Sequence, residues 1–158
     1  MPGRVCGYRF GVTPEQIALV EQTLTAINPV FDEVVADFYR RLFAADASAA
    51  ALFTGDPAAQ RAKLTAELDQ VMRSIRHHEA FLARAATLGR QHQGYGVRPR
   101  HYAAARTALM AALAQALQDR WTAPVAAAWS AAYDLTTEAM LAAANPAPAV
   151  PVGRRRVR

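Results

Sequence analysis

The sequence predicts an all-α protein with one folded domain. Alanine is abundant, whereas β-branched runs bounded by turn residues are scarce. Apolar residues recur at spacings of three and four along most of the chain, which is the period of an amphipathic helix. The chain has 158 residues, 53% of them hydrophobic and 20% charged, which is typical of a globular domain with a substantial core.

The first two helices are bounded by clear start and stop signals. Thr13 can cap a helix whose first turn holds Pro14, and Gln16 stands where a capping-box partner belongs. The apolar stripe of this helix is Ile17, Val20, Leu24 and Ile27. Asn28-Pro29 ends this helix. A second helix is predicted to follow, to about Phe43. Its inward-facing residues are Phe31, Val34, Val35, Phe38 and Leu42.

A third long helix is predicted from Pro57 to about Arg76, after a short irregular helical stretch at 46–53 and a turn at 54–57. Its inner face is Gln60, Leu64, Leu68, Val71, Met72 and Ile75. Gln60 is the polar member, and it either serves a site or lies near the exposed start of the helix. His77 and His78 are adjacent, so we interpret them as surface residues at the end of this helix rather than as a helical zinc pair.

The stretch from Phe81 to Tyr102 places a histidine at the end of an apolar stripe. Phe81, Ala85, Leu88 and His92 follow one another at spacings of four, three and four, so they share one helix face. Gly94 and Gly96 then stop the helix. His92 is therefore either a metal ligand or a buried histidine hydrogen-bonded to a backbone carbonyl.

Two further helices complete the predicted domain. One opens at Arg98-Pro99 and carries Tyr102 on its inner face, whereas the neighbouring His101 is expected to point elsewhere. The last begins at 122–124. Its stripe is Val125, Trp129, Tyr133, Thr136 and Met140. We predict an N-terminal extension at 1–12, the domain at 13–144, and a disordered tail rich in Pro and Arg at 145–158.

Composition and charge indicate which partners and which cellular compartment to expect. The net charge is +5, but four arginines lie in the last five residues and the remainder is near +1. We therefore expect neither nucleic acid nor membrane as a partner. No apolar stretch reaches the ~20 residues of a membrane span, and the N-terminus has no secretory apolar core. Cys6 is the only cysteine, so a reducing cytoplasmic location is expected.

Four motifs in order resemble the globin family, closest to bacterial single-domain globins and to the haem domain of flavohaemoglobins. They are FYRRLF at 38–43, ALF ending at Phe53, QRAKL at 60–64 and LGRQHQGYGVRPRHY at 88–102. The likeness covers about Thr13 to Ala144. It implies a globin fold whose helices sandwich haem b, iron protoporphyrin IX.

The resemblance implies a role for each matching position. His92 matches the proximal iron ligand, and Tyr39 and Gln60 match distal hydrogen-bond donors. Lys63 matches a position that reaches a haem propionate. The other implied cofactor contacts are Phe53, Leu64, Leu88, Val97 and Tyr102. Flavohaemoglobin-type domains also place a glutamate on the last helix, but this sequence has Ala144 there, and Glu138 falls on another face.

These features favour reversible dioxygen binding without dedicated catalytic residues. The alternatives are a nitric oxide dioxygenase that takes electrons from a separate reductase, and a gas sensor. We expect only the tail at 145–158 after the globin region, without a flavin reductase or transmitter domain, and so we expect either alternative to need a partner protein. Carbon monoxide is a further possible ligand, and the chain could be a monomer or a homodimer.

Overall fold

The computed structural model describes residues 11–146, and within them it confirms the predicted all-α fold, with no strand. Two short 3₁₀ turns, Asn28–Val30 and Gln118–Arg120, join helices of this part of the chain. The α-helices are α1 (Pro14–Ile27), α2 (Phe31–Ala45), α3 (Ala47–Ala50), α4 (Pro57–Ser74), α5 (His78–Gly94), α6 (Pro99–Leu117) and α7 (Ala123–Ala144).

Side-chain caps define the helix starts, as the sequence predicts for α1. The Thr13 hydroxyl accepts the Gln16 backbone N–H at 3.2 Å, and the Gln16 side-chain oxygen accepts the Thr13 N–H at 3.0 Å. Asp56 caps α4 in the same way, because its carboxylate accepts the Ala59 N–H at 3.1 Å. These bonds satisfy N–H groups that the first turn of a helix leaves unpaired.

The core lies where α7 crosses α1 and α5 and where α2 packs on α6. The predicted inward residues of α2 are all buried, as are Val20, Leu24 and Ile27 of α1. Trp129 of α7 is 1% exposed, and its indole N–H donates to the Thr23 hydroxyl of α1 at 2.8 Å. This bond satisfies the polar atom of the largest buried side chain and sets the register between α1 and α7.

A glycine allows α5 to lie directly against α7. A Cβ atom placed on Gly89 would lie 2.1 Å from the Met140 carbonyl oxygen, so no larger residue fits without moving a helix. This close approach holds the last turn of α5, which carries His92, at a constant distance from α7.

One helix boundary differs from the sequence-based expectation. Val12, the last residue of the predicted N-terminal extension, is buried in the core. His78 is the first residue of α5, because the chain turns at 75–77 and the His77 carbonyl accepts the Phe81 N–H. Residues 1–10 and 147–158, which include Cys6 and nearly all of the predicted tail, lie outside the described residues. None of the helices in 11–146 is both long and apolar enough to cross a membrane.

Candidate functional site

A cavity of about 500 Å³ lies between α2, α4, α5, α6 and α7. This volume is within the range of small-molecule and cofactor sites. Its walls are mostly apolar side chains that include Phe38, Leu42, Leu68, Val71, Leu109 and Met140. A well-packed core leaves few voids larger than a water molecule, so a space of this size indicates room for a ligand.

Every residue that the sequence assigned to a cofactor lines this one cavity. They come from the end of α2, the α3–α4 connection, α4, α5, the α5–α6 turn and the start of α6. The set is Tyr39, Phe53, Gln60, Lys63, Leu64, Leu88, His92, Val97 and Tyr102. Residues far apart in the sequence are thus brought together, although their individual roles stay predictions.

His92 is held by one ring nitrogen, and the other ring nitrogen is left available. Its Nδ1 atom lies 2.8 Å from the Leu88 carbonyl oxygen, which only accepts hydrogen bonds. Nδ1 therefore carries the proton, and the lone pair is on Nε2. The sequence left two interpretations of His92, a metal ligand or a buried histidine bonded to a backbone carbonyl. The two are compatible, since such a bond also orients metal-binding imidazoles.

Burial favours the neutral imidazole. Desolvation lowers the pKa of His92 below its ordinary value, and the Lys63 ammonium acts in the same direction. The bond to Leu88 and the carboxylate of Glu67 oppose this shift. A neutral ring is the form that can donate a lone pair to a metal.

An aromatic cluster surrounds the Tyr39 ring. The rings of Phe38, Phe43 and Phe53 have centroids 5.2–5.5 Å from that of Tyr39. Burial among them raises the pKa of Tyr39 to about 12, so the phenol keeps its proton near neutral pH and can donate a hydrogen bond. Gln60, in the second turn of α4, lines the cavity and adds an amide.

The mouth of the cavity is marked by those lining residues that are exposed: Thr54, Lys63, Gln91 and Tyr95. The Lys63 ammonium lies over the Tyr95 ring, 5.6 Å from its centroid. A cation at the rim of an apolar slot is suited to an anionic group at one edge of a flat ligand.

Tyr102 forms the wall beside His92. The two rings stack with centroids 6.2 Å apart, and the Tyr133 hydroxyl donates to the Tyr102 carbonyl at 2.7 Å. Behind Tyr102 lies a second cavity of about 300 Å³, which is also lined by Gly89 and Ala144. No carboxylate lines this second cavity among the described residues, and Glu138 is exposed. His92 therefore has a carbonyl, not a carboxylate, as its hydrogen-bond partner.

Sequence reasoning placed one lining residue, His101, away from the site. It was expected to point elsewhere, yet its ring is 6% exposed and lines the cavity. Its Nδ1 atom accepts the Arg98 N–H at 2.9 Å, and its Nε2 atom lies 3.0 Å from the Ser48 hydroxyl. Its position three residues after the cap of α6 is the signal that could have indicated this, because a side chain there can reach back to the cap.

The residues present fit haem. Haem is a flat, largely apolar disc with two carboxylates at one edge, so it needs an apolar slot, one axial base and a cationic rim. The cavity supplies apolar walls, the Nε2 lone pair of a neutral His92, and Lys63 at the mouth.

The fold and this cavity define a haem-binding protein of the globin class. Residues 36–140 match the family described as Globin, and the chain belongs to this family. It is also similar to three flavohemoproteins: one from Deinococcus radiodurans, 29% identical over 135 residues; one from Xylella fastidiosa, 27% over 124; and flavohemoprotein A of Dictyostelium discoideum, 23% over 133. These alignments cover 82%, 77% and 84% of this chain but 33%, 31% and 34% of those proteins. The chain thus spans about a third of the length of these relatives.

Proposed function

We propose that the protein would hold haem b through His92 Nε2 and reversibly bind dioxygen, with Tyr39 and Gln60 as hydrogen-bond donors. The arrangement of His92 carries this proposal. Its protonated Nδ1 donates to the Leu88 carbonyl, which leaves the Nε2 lone pair available. His92 lines the same cavity as two polar donors, Tyr39 and Gln60. When bound, haem supplies a ferrous iron that takes up a diatomic gas.

The distal residues would set how long the gas stays. A dioxygen molecule held in the cavity by haem would carry partial negative charge, and the Tyr39 hydroxyl and the Gln60 amide would donate hydrogen bonds to it. Each such bond in a dry pocket is worth about 1–3 kcal/mol, which corresponds to about a 5- to 150-fold change in the dissociation rate. Two donors therefore support tight, slowly released oxygen.

The remaining residues would seat the cofactor and keep water away. The exposed Lys63 ammonium would pair with a propionate at the mouth, and the cavity-lining Phe53 and Leu64 would close the slot with apolar surface. Leu88 and Val97 contribute apolar contacts on the His92 side. Excluding water from this slot slows the loss of the ferrous state, because charge separation is costly in an apolar medium.

The test is the double variant Tyr39→Phe/Gln60→Leu, which removes both donors and keeps most of the volume. We expect oxygen dissociation, measured by stopped-flow displacement with carbon monoxide, to become at least about tenfold faster. The matched control is Tyr95→Phe, since Tyr95 is exposed at the mouth and outside the aromatic cluster. A double variant that binds haem and releases oxygen at the wild-type rate would refute the roles of Tyr39 and Gln60.

Nitric oxide dioxygenase activity is the second candidate, and the similarity to proteins named flavohemoprotein favours it. The name joins a flavin to haem, and the aligned region covers only about a third of each such protein. Sustained nitric oxide consumption in the presence of an added flavin reductase would establish the enzyme. A single turnover per haem would instead indicate an oxygen binder.

A further inference from the structure

The second cavity, of about 300 Å³, has no role in the proposed haem site. It lies between the end of α5, the α5–α6 turn, the start of α6 and the end of α7. Its volume is at the lower end of the range of ligand sites. Tyr102 and Val97 line both cavities, so the second cavity shares a wall with the larger one. The side chains that line it indicate which class of ligand it could take.

The lining of the second cavity divides into a polar rim and an apolar floor. Gln93, Arg98 and Asn145 line the cavity and are exposed, so they form its rim. The floor consists of lining residues that are buried or half-buried: Gly89, Val97, Tyr102, Leu141 and Ala144. A ligand that fills this space therefore needs a polar head at the surface and a short apolar part beneath it.

The rim carries a positive charge that the described residues do not neutralise. Within 11–146, no aspartate or glutamate lines the cavity, and Arg98 forms no ion pair, whereas Arg73 and Arg106 do. The side-chain amides of Gln93 and Asn145 have no hydrogen-bond partner in the same part of the chain, and each can donate. Because a guanidinium pairs two parallel N–H groups with the two oxygens of a carboxylate, this rim is complementary to a carboxylate.

The backbone that carries Arg98 is held in place on both sides. The Arg98 N–H donates to His101 Nδ1 at 2.9 Å, and the Val97 N–H donates to the His92 carbonyl at 3.0 Å. Gly96 completes the turn at a φ of +85°, which glycine adopts without strain. The cavity is therefore bordered by a fixed turn, and a preformed site loses little conformational entropy when a ligand binds.

We propose that the second cavity binds a small monocarboxylate with a short alkyl chain, such as propionate or butyrate. The carboxylate would pair with the Arg98 guanidinium and accept hydrogen bonds from the amides of Gln93 and Asn145. The alkyl chain would pack on the floor, against Leu141 and Ala144. An amino acid would bind more weakly, because no carboxylate of residues 11–146 lines the cavity to pair with its ammonium group.

The experiment titrates acetate, propionate, butyrate, glycine and inorganic phosphate separately into the full-length ¹⁵N-labelled protein at constant ionic strength. The haem-loaded protein is used in its ferrous carbon monoxide form, which is diamagnetic, and the backbone amide shifts give both Kd and location. The test variant is Arg98→Gln, which should fold because the exposed side chain is not part of the bond to His101. The matched control is Arg90→Gln, since Arg90 is exposed and lines neither cavity. A second test variant, Ala144→Leu, fills the floor without changing charge.

In the wild-type protein we expect saturable shifts confined to residues 93–102 and 141–145, with a Kd for propionate of about 1–10 mM. Binding should tighten about two- to fourfold for each methylene from acetate to butyrate, because the alkyl chain leaves water. Glycine and phosphate should bind at least about tenfold more weakly than propionate, since each would place a charged group against the apolar floor.

The variants separate the two parts of the site. Arg98→Gln should raise the Kd for propionate at least about tenfold, because it removes a charge-assisted pair of hydrogen bonds. Arg90→Gln should change this Kd less than about twofold, since a distant exposed charge is screened. Ala144→Leu should abolish the gain in affinity from acetate to butyrate, because the space for the alkyl chain is occupied.

Failure of the wild-type shifts to saturate at ~100 mM propionate would overturn the proposal. So would equal losses in Arg98→Gln and Arg90→Gln, or phosphate binding as tightly as propionate, because either result would indicate attraction of any anion to a basic surface. The site does not depend on haem. Absence of a Soret band would refute the proposed haem function alone, and the same titration of the haem-free chain would still test the second cavity.

Discussion

At the scale of single residues, the properties of His92 depend on its neighbours rather than on its position alone. A histidine at the end of an apolar stripe is as compatible with a packed core as with a ligand. The Leu88 carbonyl assigns the proton to Nδ1, and burial keeps the ring neutral. Both effects leave Nε2 as a lone-pair donor beside an apolar cavity, which is the environment that haem iron requires.

The variant His92→Ala should therefore lose haem. Without an axial base, only apolar contacts and propionate pairing hold the cofactor, so we expect the Soret absorbance per protein to fall after gel filtration. Imidazole added at millimolar concentration should restore it by filling the space of the missing ring. His77→Ala, which changes an exposed histidine, should retain haem normally. An unchanged spectrum in His92→Ala would contradict the assignment.

At the scale of helices, the contact between α5 and α7 positions the site. Gly89 lies one turn before His92 and touches the Met140 backbone, so the backbone separation of these helices at this point depends on the absence of a side chain. The Trp129–Thr23 bond fixes α7 against α1 in turn. The turn that carries His92 thus packs on a helix that is itself held by α1.

Gly89→Ala should accordingly destabilise the fold and disturb the haem site. Overpacking in a core costs about 1–3 kcal/mol, and here the added Cβ meets backbone that cannot rotate away. The control is Gly94→Ala, because nothing lies within 4 Å of a Cβ at Gly94. It should leave the free energy of unfolding, measured in urea, unchanged or raise it by about 0.5–1 kcal/mol. Equal stabilities for the two variants would argue against a tight crossing.

At the scale of the whole molecule, helical periodicity was enough to predict the all-α fold and the inward faces of its helices. Order and spacing of the four motifs also selected nine residues that line one cavity. The location of His101 was predictable only from its position after the cap of α6, because its other partner, Ser48, comes from a different part of the chain. The contact of Gly89 with Met140 was not predicted either, because no local sequence pattern indicates which helix packs against a given glycine.

The distribution of buried residues predicts which part of the molecule depends on the cofactor. Along α4 only Val71 and Met72, near its end, are buried, whereas Leu64 and Leu68 are half-buried and line the cavity. The first half of α4 therefore has little to pack against unless the cavity is filled. The core formed by α1, α2, α6 and α7 has its own buried contacts.

Removing haem should thus loosen the molecule unevenly. Hydrogen–deuterium exchange followed by mass spectrometry should show faster exchange in the apoprotein over residues 57–68 and 88–97, with little change in α1 and α7. Global stability should fall as well, because a ligand present at 1,000 times its Kd stabilises the folded state by about 4.1 kcal/mol. A uniform change in exchange, or one largest in α1 and α7, would contradict the view that α4 relies on the cofactor for its packing.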